Sequence, residues 1–224
     1  MKLLLYSLFF TGISYGLLPA QSQHLLEANG LIAGKYPVSM AIRINDAGEI
    51  YGYYHYEKYK KKIVLSGQLK EDSVILYESM DGSFSFDKGF KGVLKNGEIL
   101  GQWLDVFEKK SLDFNFNIID DSVITETSAF QGIFESIHNS DQYFASVILQ
   151  PVKNDIYFFE ISTGTENGCV GFLQGLISLE NSRANFYDDN CNLFFALGET
   201  TLSIKEEECG YHGYRCSFGG EYKK

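Results

Sequence analysis

Apolar and polar residues alternate with a period of two along most of this chain, in runs that are short and closely spaced. In residues 36–45, Val38, Met40, Ile42 and Ile44 share one face while Ser39, Ala41 and Arg43 share the other, the pattern of a strand with one buried side. Comparable runs predict strands at 50–56, 63–70, 73–79, 83–86, 89–94, 98–106 and 112–118. After a polar stretch at 120–128, a second series follows at 129–137, 143–152, 156–162, 169–179, 183–187, 191–197, 200–206 and 214–222. Residues 23–35 read as a mixed lead into the first strand. No long stretch carries the 3.6-residue period of an amphipathic helix. Asp46-Ala47-Gly48 and Lys95-Asn96-Gly97 are hairpin signals, and connections this short make sequence neighbours antiparallel neighbours.

A second pattern lies over the first: a glycine with a bulky apolar residue two places away on each side. Ile99-Leu100-Gly101-Gln102-Trp103 is the clearest instance, and Ile50-Tyr51-Gly52-Tyr53-Tyr54, Leu65-Ser66-Gly67-Gln68-Leu69 and Leu173-Gln174-Gly175-Leu176-Ile177 repeat it. Residues two apart share a strand face, so these glycines point into the core, where they let a sheet curl or admit a bulky side chain. The predicted fold is all-β, with two antiparallel meander domains at 36–118 and 129–224, each a small barrel or strongly coiled sandwich. A single larger barrel is the alternative.

The N-terminus adds a compartment. Lys2, the apolar run 3–10 and the small residues around Ala20 and Ser22 read as a signal peptide over 1–22. The run is too short for a spanning helix, so the expected protein is exported, to a bacterial periplasm or the outside, and does not span the membrane after cleavage. The formal net charge of −10 disfavours nucleic acid and anionic membrane as partners. All 4 cysteines, Cys169, Cys191, Cys209 and Cys216, lie in the last quarter. In an exported chain they point to two disulfides, and without close C-x-x-C pairs they do not read as a zinc site. Three connectivities are possible. A two-residue turn at Gly198-Glu199 places Leu197 opposite Thr200 and Cys191 opposite Glu206. A bulge or fold-back of 206–208 is then needed to join Cys191 to Cys209. The preferred pairs are Cys191 with Cys209 and Cys169 with Cys216.

Gly52-Tyr53-Tyr54, Ile63-Val64-Leu65-Ser66-Gly67, Phe90-Lys91-Gly92 and Gly101-Gln102-Trp103, followed by Cys191-Asn192-Leu193-Phe194-Phe195, Cys209-Gly210 and Phe218-Gly219-Gly220-Glu221-Tyr222, carry a resemblance. Together they resemble uncharacterised secreted bacterial β-rich proteins. The resemblance implies architecture and no particular activity, and Cys216 stands where that pattern usually has an apolar residue.

Chemistry is sparsely marked. The chain has no P-loop, no dinucleotide glycine fingerprint, no H-E-x-x-H and no G-x-S-x-G, so a hydrolase with dispersed acids ranks low, and no cofactor or metal is expected. Of His24, His55, His138 and His212, His55 is the one to follow, since Glu57 or Glu78 lies within reach for acid-base work. An ordinary cross-strand contact is the plainer reading. Asp188-Asp189-Asn190 has oxygen ligands for calcium but not the spacing of a calcium loop. Glu206-Glu207-Glu208 reads as a solvated strand end. Lys58, Lys60, Lys61 and Lys62 make a basic tip suited to lipid headgroups, anionic glycans or an acidic partner, or simply to protecting a sheet edge.

Tyr51, Tyr53, Tyr54, Tyr56 and Tyr59 crowd one strand and its turn, more tyrosines than a small core hides easily. The expected function is therefore a non-catalytic binding protein that recognises a protein or glycan, with Tyr51, Tyr53, Tyr54, His55, Tyr56 and Trp103 as the binding set. Inhibition of a basic cell-wall hydrolase is one version of it. The alternative is a carrier holding a small apolar ligand inside a barrel.

Overall fold

The computed structural model describes residues 23–80, 83–125 and 128–224. The expected signal peptide, 1–22, lies outside them. Every regular element among the described residues is a β-strand. The first eight are β1 (Gln23–Ile32), β2 (Tyr36–Asn45), β3 (Glu49–Tyr56), β4 (Ile63–Lys70), β5 (Ser73–Met80), β6 (Ser83–Lys95), β7 (Glu98–Asp105) and β8 (Lys110–Ile124). They form a closed up-and-down barrel in which β1 pairs with β8. The second eight are β9 (Gly132–Ser136), β10 (Tyr143–Lys153), β11 (Ile156–Thr165), β12 (Val170–Ser178), β13 (Arg183–Asp188), β14 (Cys191–Leu197), β15 (Thr201–Glu207) and β16 (Gly220–Lys223). Here too the first strand pairs with the last, β9 with β16, but the ring is left open between β12 and β13. The chain is thus two antiparallel meander domains in series, one closed and one nearly closed.

The alternation read from the sequence places the core. Val38, Met40, Ile42 and Ile44 point into the first barrel with Ile50, Leu65, Val74, Leu76 and Ile99. Phe90, Phe114 and Phe116 meet across its interior with centroids 4.8–5.5 Å apart. The inward glycines admit these rings. A Cβ on Gly92 would lie 2.9 Å from Phe114 Cζ, and one on Gly30 would lie 2.5 Å from Phe116 Cδ1. In the second domain Gly175 does the same for Phe159 and Phe186. The Asn96-Gly97 turn has φ of 54° and 78°, the left-handed pair that a tight hairpin requires.

Several boundaries differ from expectation. Residues 23–32 are a full strand, so the run at 36–45 is the second strand of the barrel. The stretches 83–86 and 89–94 are one strand, β6, opposite a register shift between Tyr77 and Ser79. The polar stretch at 120–128 is not all linker, because β8 continues to Ile124 in pairing with the start of β1.

The two barrels pack side against side. Ala41, Tyr53, Val152 and Phe158 form a separate buried cluster, joined by Tyr51, Val64, Ile156 and Leu176. At its edge Arg43 Nε donates to Val152 O at 2.9 Å, and Lys153 Nζ lies 2.6 Å from Glu27 Oε2. Phe158 is fully buried although it points away from its own barrel's core. Two-faced burial explains the unbroken apolar run Tyr157-Phe158-Phe159.

Disulfides join Cys169 to Cys216 and Cys191 to Cys209, the preferred pairing, and they fit an oxidising, exported environment. The register that brings Cys191 to Cys209 differs from the expected one. Leu197 pairs with Leu202 and Leu193 with Glu206, because the turn spans four residues, closed by Gly198 N donating to Thr201 O. That two-residue slip moves the ladder toward Cys209, and a left-handed Glu208 (φ 51°) bends the chain out of β15.

Candidate functional site

Strand β3 divides its aromatic residues between two environments. Tyr54 and Tyr56 point into the first barrel, and Tyr51, Tyr53 and His55 point out. Tyr54 is buried and donates to Glu78 Oε1 at 2.5 Å, and Trp103 Nε1 donates to the same oxygen at 2.6 Å. Glu78 follows Val74 and Leu76 on the inward face of β5. Burial pushes its carboxyl above the usual range, against the two donors, which pull it down. Burial, reinforced by Glu78, also raises the Tyr54 phenol, so its hydrogen stays on oxygen. Tyr56 stands edge-on to Tyr54 at 5.7 Å and to Tyr36 at 6.4 Å, at the barrel's end. Beside them Lys88 Nζ pairs with the buried Asp105 at 2.9 Å.

On the outer face Tyr51 lies against Phe158, ring centroids 4.9 Å apart, and its hydroxyl donates to Glu49 at 3.0 Å. Tyr53 is buried in the same interdomain cluster. Of the five clustered tyrosines, Tyr59 alone is exposed; the second domain and the barrel interior cover the rest to differing degrees. His55 Nε2 lies 3.5 Å from Glu57 Oε1, while Glu78 is on the other side of the barrel wall. Burial lowers the His55 pKa, and its Nδ1 is buried with no hydrogen-bond partner among the described residues. Glu57 also accepts from Ser39 and Lys60, which hold its carboxyl below the usual range.

A cleft lies at the open seam of the second barrel. The connection 208–219, held by both disulfides, covers half of the free edge of β12: Phe172 N donates to Tyr211 O and Gly213 N to Val170 O. It is anchored by Glu206, whose Oε2 accepts from Phe218 N at 2.6 Å, Ser217 Oγ at 3.1 Å and Gly219 N at 3.2 Å, and whose Oε1 lies 2.8 Å from His212 Nε2. Glu206 is therefore an organising residue and not a solvated strand end. Its place on the apolar face of β15, after Leu202 and Ile204, is the sequence signal for this. The rest of the seam, from Gln174 to Ser178 against Asn185 to Asp189, opens into a cleft of about 830 Å³ closed on its far side by the turn 57–62 of the first barrel. Tyr59 and Tyr187 stand exposed along it, with Tyr56, Lys60, Lys61 and Lys62 on the barrel side. Asp188, a candidate calcium ligand by residue type, has both oxygens engaged, one by Asn190 N and one by the Tyr211 hydroxyl, each at 2.8 Å.

Gln174 separates this cleft from a second crevice lined by Glu49, Tyr51, Gln68, Tyr77 and Glu160. It donates to Glu160 at 2.7 Å and accepts from Ser66 at 3.3 Å. Burial raises the Glu160 carboxyl. No family model, curated protein or solved structure matches the chain.

Proposed function

We propose that this is an exported, non-catalytic binding protein whose ligand, a glycan or a protein segment, lies in the cleft between the two barrels. What carries the proposal is the juxtaposition in that cleft of exposed rings, Tyr59 and Tyr187, with the polar groups of Lys60–Lys62, Asn185 and Asp189. Sugars need both a flat apolar surface for the ring face and donors and acceptors for the hydroxyls, and aromatic side chains with a polar tip supply part of each. The tyrosine-rich strand then acts mainly by placing the turn 57–62, with Tyr56 and Tyr59 as its contributions to the cleft. The aromatic packing inside the first barrel favours this reading over a carrier with a ligand in the interior. Inhibition of a cationic hydrolase is a narrower form, in which the partner reaches the same cleft with a loop.

A glycan array of bacterial cell-wall and capsular oligosaccharides, followed by calorimetry on the best binder, tests it. Tyr59→Ser with Tyr187→Ser should weaken that binding at least about tenfold, since each ring contact is worth of the order of 1 kcal/mol, with no change in melting temperature. Unchanged affinity in the double variant removes the cleft as the site.

A further inference from the structure

In an up-and-down barrel alternate turns emerge at the same end, so β1–β2, β3–β4, β5–β6 and β7–β8 all turn at one end of the first barrel. Three of these turns are described, at 33–35, 57–62 and 106–109, and with the first residues of the strands that follow they carry Lys35, Lys58, Lys60, Lys61, Lys62, Lys109 and Lys110, all exposed. Within these turns the carboxylates are Glu57, already paired with Lys60, and Glu108; beside the turns lie Asp87, Asp113 and the buried Asp105, which Lys88 pairs. Residues 81 and 82, between β5 and β6 in the sequence, lie outside the described residues. The three turns at the opposite end, taken with the first residues of the strands that follow them, carry Asp46, Glu49, Glu71, Asp72 and Glu98 and no lysine, while Lys70 and Lys95 close the strands that enter them. The net charge of −10 therefore conceals a segregation of charge along the barrel axis.

The same end exposes bulky apolar groups at the turn tips. Phe107 is 76% exposed, Tyr59 68%, Val106 58% and Tyr36 44%. The turns that present them are closed by backbone bonds, Lys109 N to Val106 O and Tyr59 N and Lys60 N to Tyr56 O, so the tips are ordered before any partner arrives. We propose that this end docks on a lipid bilayer bearing anionic headgroups, with Phe107, Val106 and Tyr59 entering the interfacial layer and the lysines pairing with phosphates around them. Val106 and Phe107 have no side-chain polar atom to offer a sugar hydroxyl, which is what favours a bilayer over an acidic polysaccharide. Lysines beside apolar tips suit a bilayer edge, because their stems lie along apolar surface while the ammonium groups reach phosphate. The acidic remainder of the protein is repelled by the same surface, which confines the contact to the turn tips.

The test is co-sedimentation of the folded, disulfide-intact protein with vesicles of phosphatidylcholine alone and with added phosphatidylglycerol. The expected result is partition onto the phosphatidylglycerol vesicles only, lost in high salt. Phe107→Ser, and Lys109→Glu with Lys110→Glu, should each lower the partition about tenfold or more, since each surface lysine contributes roughly one kcal/mol near such a membrane. Asp72→Asn at the opposite end should leave it unchanged. None of these positions lines the interdomain cleft, so their effect is separate from any glycan binding there. As a second measurement, Phe107→Trp, in a chain with 1 native tryptophan, should gain blue-shifted emission quenched by brominated lipid. Absence of partition onto phosphatidylglycerol vesicles overturns the proposal, as does a Phe107→Ser variant that partitions like the wild type. Retention on an acidic polysaccharide without vesicle binding also overturns it.

Discussion

The Tyr54 hydroxyl donates to Glu78 at 2.5 Å inside a barrel otherwise filled by aliphatic and phenyl groups. The contact ties β3 to β5 across β4, and Trp103 brings in β7 through the same oxygen. A carboxyl in that position sits on the face that the alternation of β5 assigns to the core, and it stays there because both donors converge on it.

Glu78 should set part of the protein's pH dependence. Burial raises its carboxyl above the ordinary value near 4.5, so the folded state keeps a proton that the unfolded chain releases. Stability should then fall as pH rises from about 4.5 through the higher folded-state value, by roughly 1.4 kcal/mol for each tenfold gain in proton affinity on folding. Glu78→Gln keeps an oxygen for Tyr54 and Trp103 and removes the titration. Thermal melts across pH 4 to about 8 should show a smaller decline in the variant than in the wild type, the remainder belonging to Glu160, whose carboxyl burial also raises. An equal decline in both would assign it elsewhere.

Gly30 and Gly210 should respond unequally to the same substitution. A Cβ on Gly30 would fall 1.9 Å from Asn115 O and 2.5 Å from Phe116 Cδ1, whereas on Gly210 the nearest atom is 3.7 Å away. Gly30→Ala should lower urea stability by about 1–3 kcal/mol, the usual penalty of overpacking, and Gly210→Ala by less than about 0.5 kcal/mol. Similar midpoints for the two would show that β1 and β8 separate easily.

The disulfides close loops of different length. Serine pairs in place of Cys169–Cys216, with a separation of 47, should cost about 4 kcal/mol, and in place of Cys191–Cys209, with a separation of 18, about 3 kcal/mol on chain-entropy grounds. Hydrogen exchange should rise first at Phe172 and Gly213, whose amides join the 208–219 connection to β12. Continued protection of both amides after loss of Cys169–Cys216 would show that Glu206 and Cys191–Cys209 suffice to hold the connection.

The two barrels should melt together because Phe158 is shared. Phe158→Ser removes the largest apolar group between them and should cost about 3 kcal/mol or more. Calorimetry should then resolve two transitions in place of one. A single lowered transition would mean that the domains remain coupled through Arg43, Lys153 and Gln174.

Much of the fold is legible in the residues, and the exceptions have identifiable physical causes. β2 and β14 match their predicted bounds, while β1 is harder to read: Leu26, Ala28 and Ile32 face the barrel core, yet Leu25 on the outer face is buried as well, and the register shift beside Glu27 and Ala28 leaves Ile119 of β8 without a place in the ladder with β1. The end of β8 opens with Asp120-Asp121-Ser122 and is mostly exposed, so its pairing with β1 is what marks it as strand. The candidate site was partly legible. Glu78 can be found from parity alone, as a carboxylate in line with Val74 and Leu76. The covering of Tyr51 and Tyr53 cannot be read from β3 itself, since the covering groups lie about a hundred residues away, although Tyr157-Phe158-Phe159 shows that β11 is buried on both faces. The cleft was not legible, because it exists where β12 and β13, neighbours in sequence, fail to pair.

Each barrel is completed by its two most distant strands. Leu26 meets Asp121 in the first, and Tyr222 meets Ser136 in the second, while every other ladder joins consecutive strands. Contacts between consecutive strands form early, and closure over long separations comes late. A chain that leaves a cell thread-first therefore presents β1 at the outset with β2 on one edge and its other edge open until β8 has followed it across. During that interval Leu25, Leu26 and Ile32 are uncovered, and the step most exposed to a chaperone or a protease is the arrival of the barrel's final strand and not its beginning.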